Sequence, residues 1–526
     1  MQNSSLKNIS FYLYLFGIFL LAVALPWSNF LMSNAQIILL LAWLLGGDLS
    51  GKIKRFANNK TAIVVSSVFI LHVIGLAYTT DFNYGLEDVR KKIPLMLLPL
   101  IFSSSTPLSK QLFERILLLF TLSVIMATGV CFYVLLGNSD KQILQPQQAS
   151  IFISHIRFGL LISMSVFILG YFFIAKKSVS LKLFIFILIT WLILFLLMME
   201  SATGLVCTIV VAVLLLLGFI LKAKNVILKF SLMVLLLLGC FFTVKVFLSI
   251  TDKLNNVSAI DKKQLPRHTK NGNPYIHDTI SQGIENGNPV WLFICEEELT
   301  EEWNKKSSMP YYGRDLTGNE IKYTLIRFLA SKGSHKDAEG VNALSEKEVK
   351  AIEKGIPNVN FIGVFNPSAR LQKIIWEINL YVKGGNPSGH SVVQRFEFWK
   401  AAIGIIKENF LFGVGTGDTK NAFEYQYEKM NSPLAKESRH RSHNQFFAIG
   451  TAFGIIGISW FLISLFYPLL CKKNFQDYFY STFFIIAFLS MLTEDTLETQ
   501  AGATFFAFFN SLLLFCREKS EVRTES

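Results

Sequence analysis

Residues 183–199 read LFIFILITWLILFLLMM, seventeen positions in which only Thr190 and Trp191 carry a hydrogen-bond donor. A stretch of that character suits the hydrocarbon core of a bilayer, about 30 Å thick, which a helix of about 20 residues crosses. The same reading holds for FYLYLFGIFLLAVAL (11–25), AIVVSSVFILHVIGLAY (62–78) and ILLLFTLSVIMATGVCFYVLL (116–136). The 526-residue chain is 52% hydrophobic, and its apolar residues come in such blocks rather than dispersed as in a soluble protein. The fold class expected is an all-α polytopic membrane protein.

Working outward from that stretch gives about twelve spans. They fall near 9–25, 28–46, 61–78, 93–104, 114–136, 150–175, 181–199, 202–222, 226–248, 444–470, 479–493 and 500–516. One long polar segment interrupts them. The domains expected are membrane helices over 1–248, a mainly helical loop domain over 249–443 before the tenth span, membrane helices over 444–516, and a tail over 517–526. Lys7 precedes the first apolar run and no small-residue cleavage site follows, so that run reads as an uncleaved first span.

Lysine-rich connections set the orientation. GGDLSGKIKRFANNK, AKKSVSLK, LKAKNVILK, CKKNFQDY and the tail CREKSEVRTES fall on one side if the spans alternate, and that side is cytoplasmic. The long segment is then outside the cytoplasm. The same bias accounts for the net charge of +13 without nucleic acid. Of the six cysteines, Cys131, Cys207, Cys240 and Cys516 lie in apolar stretches, Cys471 sits beside a basic turn, and Cys295 alone lies in the polar segment. No disulfide framework follows.

Within the polar segment, VWLFIC (290–295) reads as a short strand, and Ser345 with Glu348 as a capping box. Asn366-Pro367 opens a helix over SARLQKIIWEINLYV. Ser391 with Gln394 is a second capping box, opening VVQRFEFWKAAIGIIKENF. On that helix Glu397, Lys400, Lys407 and Glu408 share one face and Phe398, Trp399, Ala402 and Ile406 the other, with Arg395 in the middle of the apolar face. Two readings of Arg395 stand: a side chain snorkelling to water, or one aimed at an anion. Gly413, Gly415 and Gly417 alternate in the following loop; a tight turn is the preferred reading, a phosphate nest the other.

His443 stands at the outer mouth of the tenth span, behind Arg439 and Arg441. A histidine there acts as a general base or is merely solvated; the basic cluster weighs towards function. Gly450 and Gly454 read as a helix-packing pair. His155, Arg157, Arg90, Lys91, Lys92, Glu200, Glu494, Asp495 and Glu498 all map to the outer side of the spans, which points to a site there. His72, inside the third span, reads as a core residue. No Asp-x-Asp pair, HExxH, Cys/His metal spacing, GxSxG elbow or P-loop occurs, so neither a metal nor any other cofactor is expected. A donor must carry its own activation, and a lipid diphosphate-linked sugar does so, its anionic leaving group matched to Arg and Lys.

QRFEFWKAAIGIIKENFLFGVGTGD (394–418) followed by HNQFFAIGTAFGIIG (443–457) resembles the O-antigen ligase superfamily, and RLQKIIWEINLYVKGGNPSGHSVVQRFEFWK (370–400) its Bacteroidetes-type members. The resemblance implies transfer of a glycan from undecaprenyl diphosphate to lipid A–core without metal or ATP. It makes His443 the general base or the group orienting the acceptor hydroxyl. Arg157 and Arg395 become diphosphate contacts, with Arg441 beside His443 and Arg90 as a weaker match. Two departures stand out: Glu200-Ser201-Ala202 replaces a Ser-Arg pair, and Gln445 replaces the second His of an His-Asn-His pattern. The resemblance equally covers O-antigen polymerases and protein O-oligosaccharyltransferases. Against it stands a transporter, which would show broken helices at the bilayer midplane, often in two related halves, or a purely structural membrane protein.

Overall fold

A computed structural model describes residues 2–137, 143, 145–255, 265–278, 283–362, 367–382 and 384–518. Asn366, expected to open a helix, and the tail beyond residue 518 lie outside that set. The chain divides into two compact units, one of Met1–Lys141, Gln147–Leu216 and Gly385–Ser526, the other of Gln142–Pro146 and Leu217–Gly384.

The first unit begins with helices α1 (Gln2–Ala24), α2 (Asn29–Leu45), α3 (Leu49–Ala57), α4 (Lys60–Ile74), α5 (Phe82–Lys92), α6 (Pro94–Ser104) and α7 (Lys110–Leu135). It continues through α8 (His155–Ala175), α9 (Val179–Met198) and α10 (Ala202–Lys222). Among the described residues, eight helices of the chain are long and apolar enough to cross a membrane, or nine if α2 and α3, bent by 113°, form one span. The protein is therefore an all-α, multi-pass membrane protein. By length and composition, eight or nine of the twelve expected spans are found among the described residues. The expected span at 93–104 is α6, an 11-residue helix opened by Pro94. At about 1.5 Å per residue it reaches only about half the hydrocarbon thickness.

The second unit carries α11 (Val226–Asn255), then a hairpin of β1 (Ile284–Glu285) and β2 (Asn288–Pro289) turned by Asn286 and Gly287, both at positive φ. That Asn-Gly pair is the residue choice a two-residue hairpin loop requires. Helices α12 (Glu296–Lys306), α13 (Ile321–Lys332), α14 (Ala338–Asn342), α15 (Glu346–Glu353) and α16 (Pro367–Val382) follow. Trp303, Leu325, Phe328, Leu329 and Ile352 form their apolar core. The capping box at Ser345–Glu348 forms with both bonds. The strand expected at 290–295 does not: only Ile294 there makes ladder-type bridges, and the strands lie just upstream.

The chain returns to the first unit as α17 (Val393–Glu408), α18 (Thr419–Lys429), α19 (Gln445–Leu470), α20 (Tyr478–Thr493) and α21 (Gln500–Phe515). The last two hold 16 residues each, also short for a span. Residues 385–443, expected to belong to the loop domain, cluster instead with the membrane helices. The reason is α17, which seats Phe398, Ala401, Ala402 and Ile405 in an apolar cluster with α18 and comes so close to α19 that a Cβ on Gly450 would meet Ile406 at 2.8 Å. Ser391 does not cap α17; Val392 holds the cap position, and the entry is a turn in which Gln394 N–H donates to His390 O over 3.0 Å.

Helix α19 is broken at Gly454, whose φ of 62° and ψ of −158° are non-helical. The break frees backbone groups that lipid cannot satisfy. The glycine-rich loop satisfies them: Val414 N–H donates to Thr451 O and Gly415 N–H to Ala452 O, both over 2.9 Å, and Ile455 N–H donates to Phe410 O over 2.8 Å. Gly454 is thus a point of backbone contact rather than half of a helix-packing pair. A Cβ there would meet the Leu411 carbonyl carbon at 2.4 Å, whereas one on Gly129 in α7 would meet nothing within 4 Å. Gly454→Ala is expected to cost about 1–3 kcal/mol. In a thermal-shift measurement on detergent-solubilised protein its midpoint falls, while that of Gly129→Ala holds or rises slightly; equal midpoints would contradict the clamp.

Candidate functional site

The connection between α20 and α21 places three acids in five residues: Glu494, Asp495 and Glu498. Their side chains are 1%, 5% and 9% exposed. Buried carboxylates of this kind persist only where cations meet them. Arg157, in the first turn of α8, lies with one guanidinium nitrogen 3.9 Å from Glu494 and another 3.8 Å from Asp495. Arg395, in the first turn of α17, donates to Glu494 Oε1. Arg441 reaches Asp495 over 3.4 Å and Glu498 over 3.5 Å. Lys92, the last residue of α5 and itself fully buried, sits between Asp88 and Glu498, 2.7 Å from the latter. Four cations therefore face four carboxylates.

Arg395 is thus neither snorkelling nor free; α17 turns it onto Glu494. Glu397, expected on the face opposite the apolar one, is buried and paired with Lys400 at 2.7 Å and with the Ser432 hydroxyl at 3.0 Å. Periodicity alone cannot see this, because α17 is covered on two sides.

His443 Nδ1 lies 3.3 Å from Glu494 Oε2. A carboxylate only accepts, so Nδ1 carries the proton and Nε2 is left as the basic nitrogen. Phe398 backs the ring, with centroids 5.5 Å apart. His443 has a positive φ of 45°, unusual for a side chain of its size. The following residue fixes the geometry: Asn444 accepts from Phe446 and Phe447 N–H to cap α19, and its amide donates to Leu492 O over 2.8 Å.

Burial raises the pKa of Glu494, but the hydrogen bond from His443 and the guanidinium charges of Arg395 and Arg157 outweigh it and hold the group below its ordinary value. Glu498 is likewise held low: burial opposes ionisation and Lys92 and Arg441 overcome it. Asp495 goes the other way, burial raising its pKa beyond what Arg441 and His443 offset. The acids lie deeper than Arg157, Arg395, Arg441 and His443, whose side chains are 13%, 23%, 30% and 33% exposed. An approaching anion therefore meets guanidinium and imidazole first.

Among the sequence candidates, Arg157, Arg395, Arg441 and His443 come together. Arg90 does not: it is exposed, and its ion pair is with Glu87 at 3.7 Å. Lys92, two residues on, faces the cluster instead. Glu200 accepts from Gln147 over 3.3 Å, apart from the cluster. His72 is buried, edge-on to Phe453 at 4.9 Å. The glycine loop is no phosphate nest: Gly413, Val414, Gly415, Thr416 and Gly417 donate their N–H groups to Asn409 O, Thr451 O, Ala452 O, Gly75 O and Thr79 Oγ1. His443 Nδ1 and carboxylate oxygens of Glu494 and Asp495 lie within 4.8 Å of one another, a donor set a divalent cation accepts. The same carboxylates already pair with three guanidinium groups, whose positive charge repels a metal ion. The arrangement fits arginine better than metal.

Residues 359–462 match the family model described as O-antigen ligase. The match spans 104 of the 526 residues. The matched stretch includes Arg395, Arg441, His443, the glycine loop and the break at Gly454, while Arg157, Lys92 and the three acids come from outside it. No curated protein matches the chain. The acids were visible in the sequence as polar residues at a span turn; which cations pair with them was not, because those cations come from four other elements.

The lowered pKa values carry a sign. Stability from Glu494 and Glu498 is fully present above the ordinary carboxylate value of about 4.3 and is lost as pH falls through their folded values, while protonation of Asp495 on acidification is relieving. Glu494→Gln is expected to lose less of its thermal midpoint than wild type between about pH 5 and pH 3. Identical acid profiles for the two proteins would show that Glu494 is not held by its partners.

Proposed function

We propose that this protein transfers a glycan from undecaprenyl diphosphate to lipid A–core on the periplasmic face of the bacterial inner membrane, as an O-antigen ligase. The observation that carries the reading is His443, held by Glu494 through Nδ1 among Arg157, Arg395 and Arg441. The basic nitrogen and the anion-binding groups lie side by side, which transfer from a diphosphate ester requires.

The donor's diphosphate binds Arg157, Arg395 and Arg441, in part displacing the carboxylates that hold them beforehand. The acceptor hydroxyl gives its proton to His443 Nε2 as its oxygen bonds to the anomeric carbon. The bond from that carbon to the phosphate oxygen breaks, its electron pair leaving with the lipid diphosphate, and the configuration inverts. The charge that builds on the leaving oxygen is met by guanidinium groups already oriented, which costs little reorganisation at the moment of reaction. Lysine-rich connections on one side of the membrane support the periplasmic placement.

A lipopolysaccharide gel of a deletion strain, complemented with wild type or His443→Ala, tests this. Lipid A–core alone in the deletion and the mutant, with undecaprenyl-linked polymer accumulating, is the expected result. Core carrying a single repeat would make the protein a polymerase, and an unchanged ladder would remove both readings in favour of glycoprotein or transport substrates. In a purified assay His443→Ala should lose about 10²-fold or more in rate. Arg395→Lys should lose roughly tenfold, because an ammonium cannot replace a planar fork on phosphate. Full activity in Arg395→Lys would count against bidentate binding.

A further inference from the structure

Three donors converge on Glu498, one step behind the groups just described. Lys92 Nζ lies 2.7 Å and an Arg441 guanidinium nitrogen 3.5 Å from its Oε2, and Gln445 Nε2 donates to its Oε1 over 3.0 Å. The amide's other end is committed too, since Leu497 N–H donates to Gln445 Oε1 over 2.7 Å. Gln445 is the first residue of α19 and stands two positions after His443. Asn444, between them, is tied to Leu492 O. His443 itself occupies a left-handed backbone region that costs about 1 kcal/mol or more for a side chain of its kind. Such a conformation persists only where its surroundings over-determine it. Here they do: residues 444 and 445 both grip the 492–498 segment, and that segment also supplies Glu494, the partner of the His443 ring.

We infer that Glu498 is a positioning residue, which with Lys92 and Gln445 fixes His443 and Arg441 for transfer without touching the reacting atoms. The inference rests on the reading of His443 and Arg441 given under the proposed function. It also accounts for Gln445 where the family pattern has His. An amide supplies a donor to Glu498 and an acceptor for Leu497 N–H with no change of charge. An imidazole does both only in one neutral tautomer.

The test uses full-length protein in lipid nanodiscs, with an undecaprenyl diphosphate-linked glycan and lipid A–core, and compares wild type, Glu498→Gln, Gln445→Leu and Gln445→His. A displacement of about 1 Å at reacting groups costs on the order of 10²-fold in rate. Glu498→Gln should therefore lower kcat per folded molecule by about that factor and raise the donor KM through Arg441. Gln445→Leu should lower kcat, and Gln445→His should recover part of it. If Glu498→Gln does not fold, Gln445→Leu, which removes no charge, decides by the same readout. A purely structural role predicts less folded protein with wild-type kcat and KM per folded molecule, and that result overturns the inference. The rate at which diethyl pyrocarbonate modifies His443, read by mass spectrometry, needs no turnover. Should wild type fail to transfer glycan, the proposed function falls and this rate alone decides: a changed rate in Glu498→Gln supports positioning, an unchanged one refutes it.

Discussion

Three carboxylates within five residues, buried between two helices, impose the constraint on which the first unit depends. Breaking a buried ion pair by removing one member costs about 3–5 kcal/mol. Glu494, Asp495 and Glu498 must therefore be met by cations, and those cations come from far apart in the chain: Lys92 from α5, Arg157 from α8, Arg395 from α17 and Arg441 from the approach to α19. The ends of four elements converge on one turn because the charges leave no cheaper arrangement.

The constraint also bears on the proposed function, which needs an anion site formed before its ligand arrives. Several guanidinium groups brought together without counter-charge repel one another; the buried acids neutralise them while leaving their outer faces accessible. Under the proposed function a diphosphate would exchange for carboxylate contacts that are already aligned, leaving little orientation to be done at the transition state. A second clamp serves the same end. Asp418 accepts from Thr80 N–H and hydroxyl and from Asp81 N–H, tying the glycine loop to the start of α5, whose far end is Lys92. Burial opposes the charge on Asp418, and those hydrogen bonds outweigh it and hold its pKa low.

Much of the architecture was legible in the sequence because lipid tolerates so few solutions: blocks such as 183–199 have no other place to go. Misread features were those set by neighbours rather than by local pattern. Ser391 has the spacing of a cap, yet the turn at His390 takes over the entry to α17. Gly454 looks like half of a packing motif, and only the approach of Leu411 shows it to be a break. Four of the five candidate site residues were marked by being polar at span ends, but Arg90 was chosen over Lys92. From sequence the two are equivalent; one turn geometry at the end of α5 buries the second and exposes the first. That Glu494 would orient His443 was beyond reach, since fifty-one residues and two helices separate them.

We propose that Arg157 and Arg395 hold a lipid diphosphate beside His443. It is tested most directly by measuring undecaprenyl diphosphate binding to full-length protein in nanodiscs, for wild type, Arg157→Ala, Arg395→Ala and Arg90→Ala. A hydrogen bond to a charged group contributes about 1.5–3 kcal/mol, so Arg157→Ala and Arg395→Ala should each weaken binding roughly tenfold or more, with Arg90→Ala at wild-type affinity. Equal affinity in all four proteins would contradict the account.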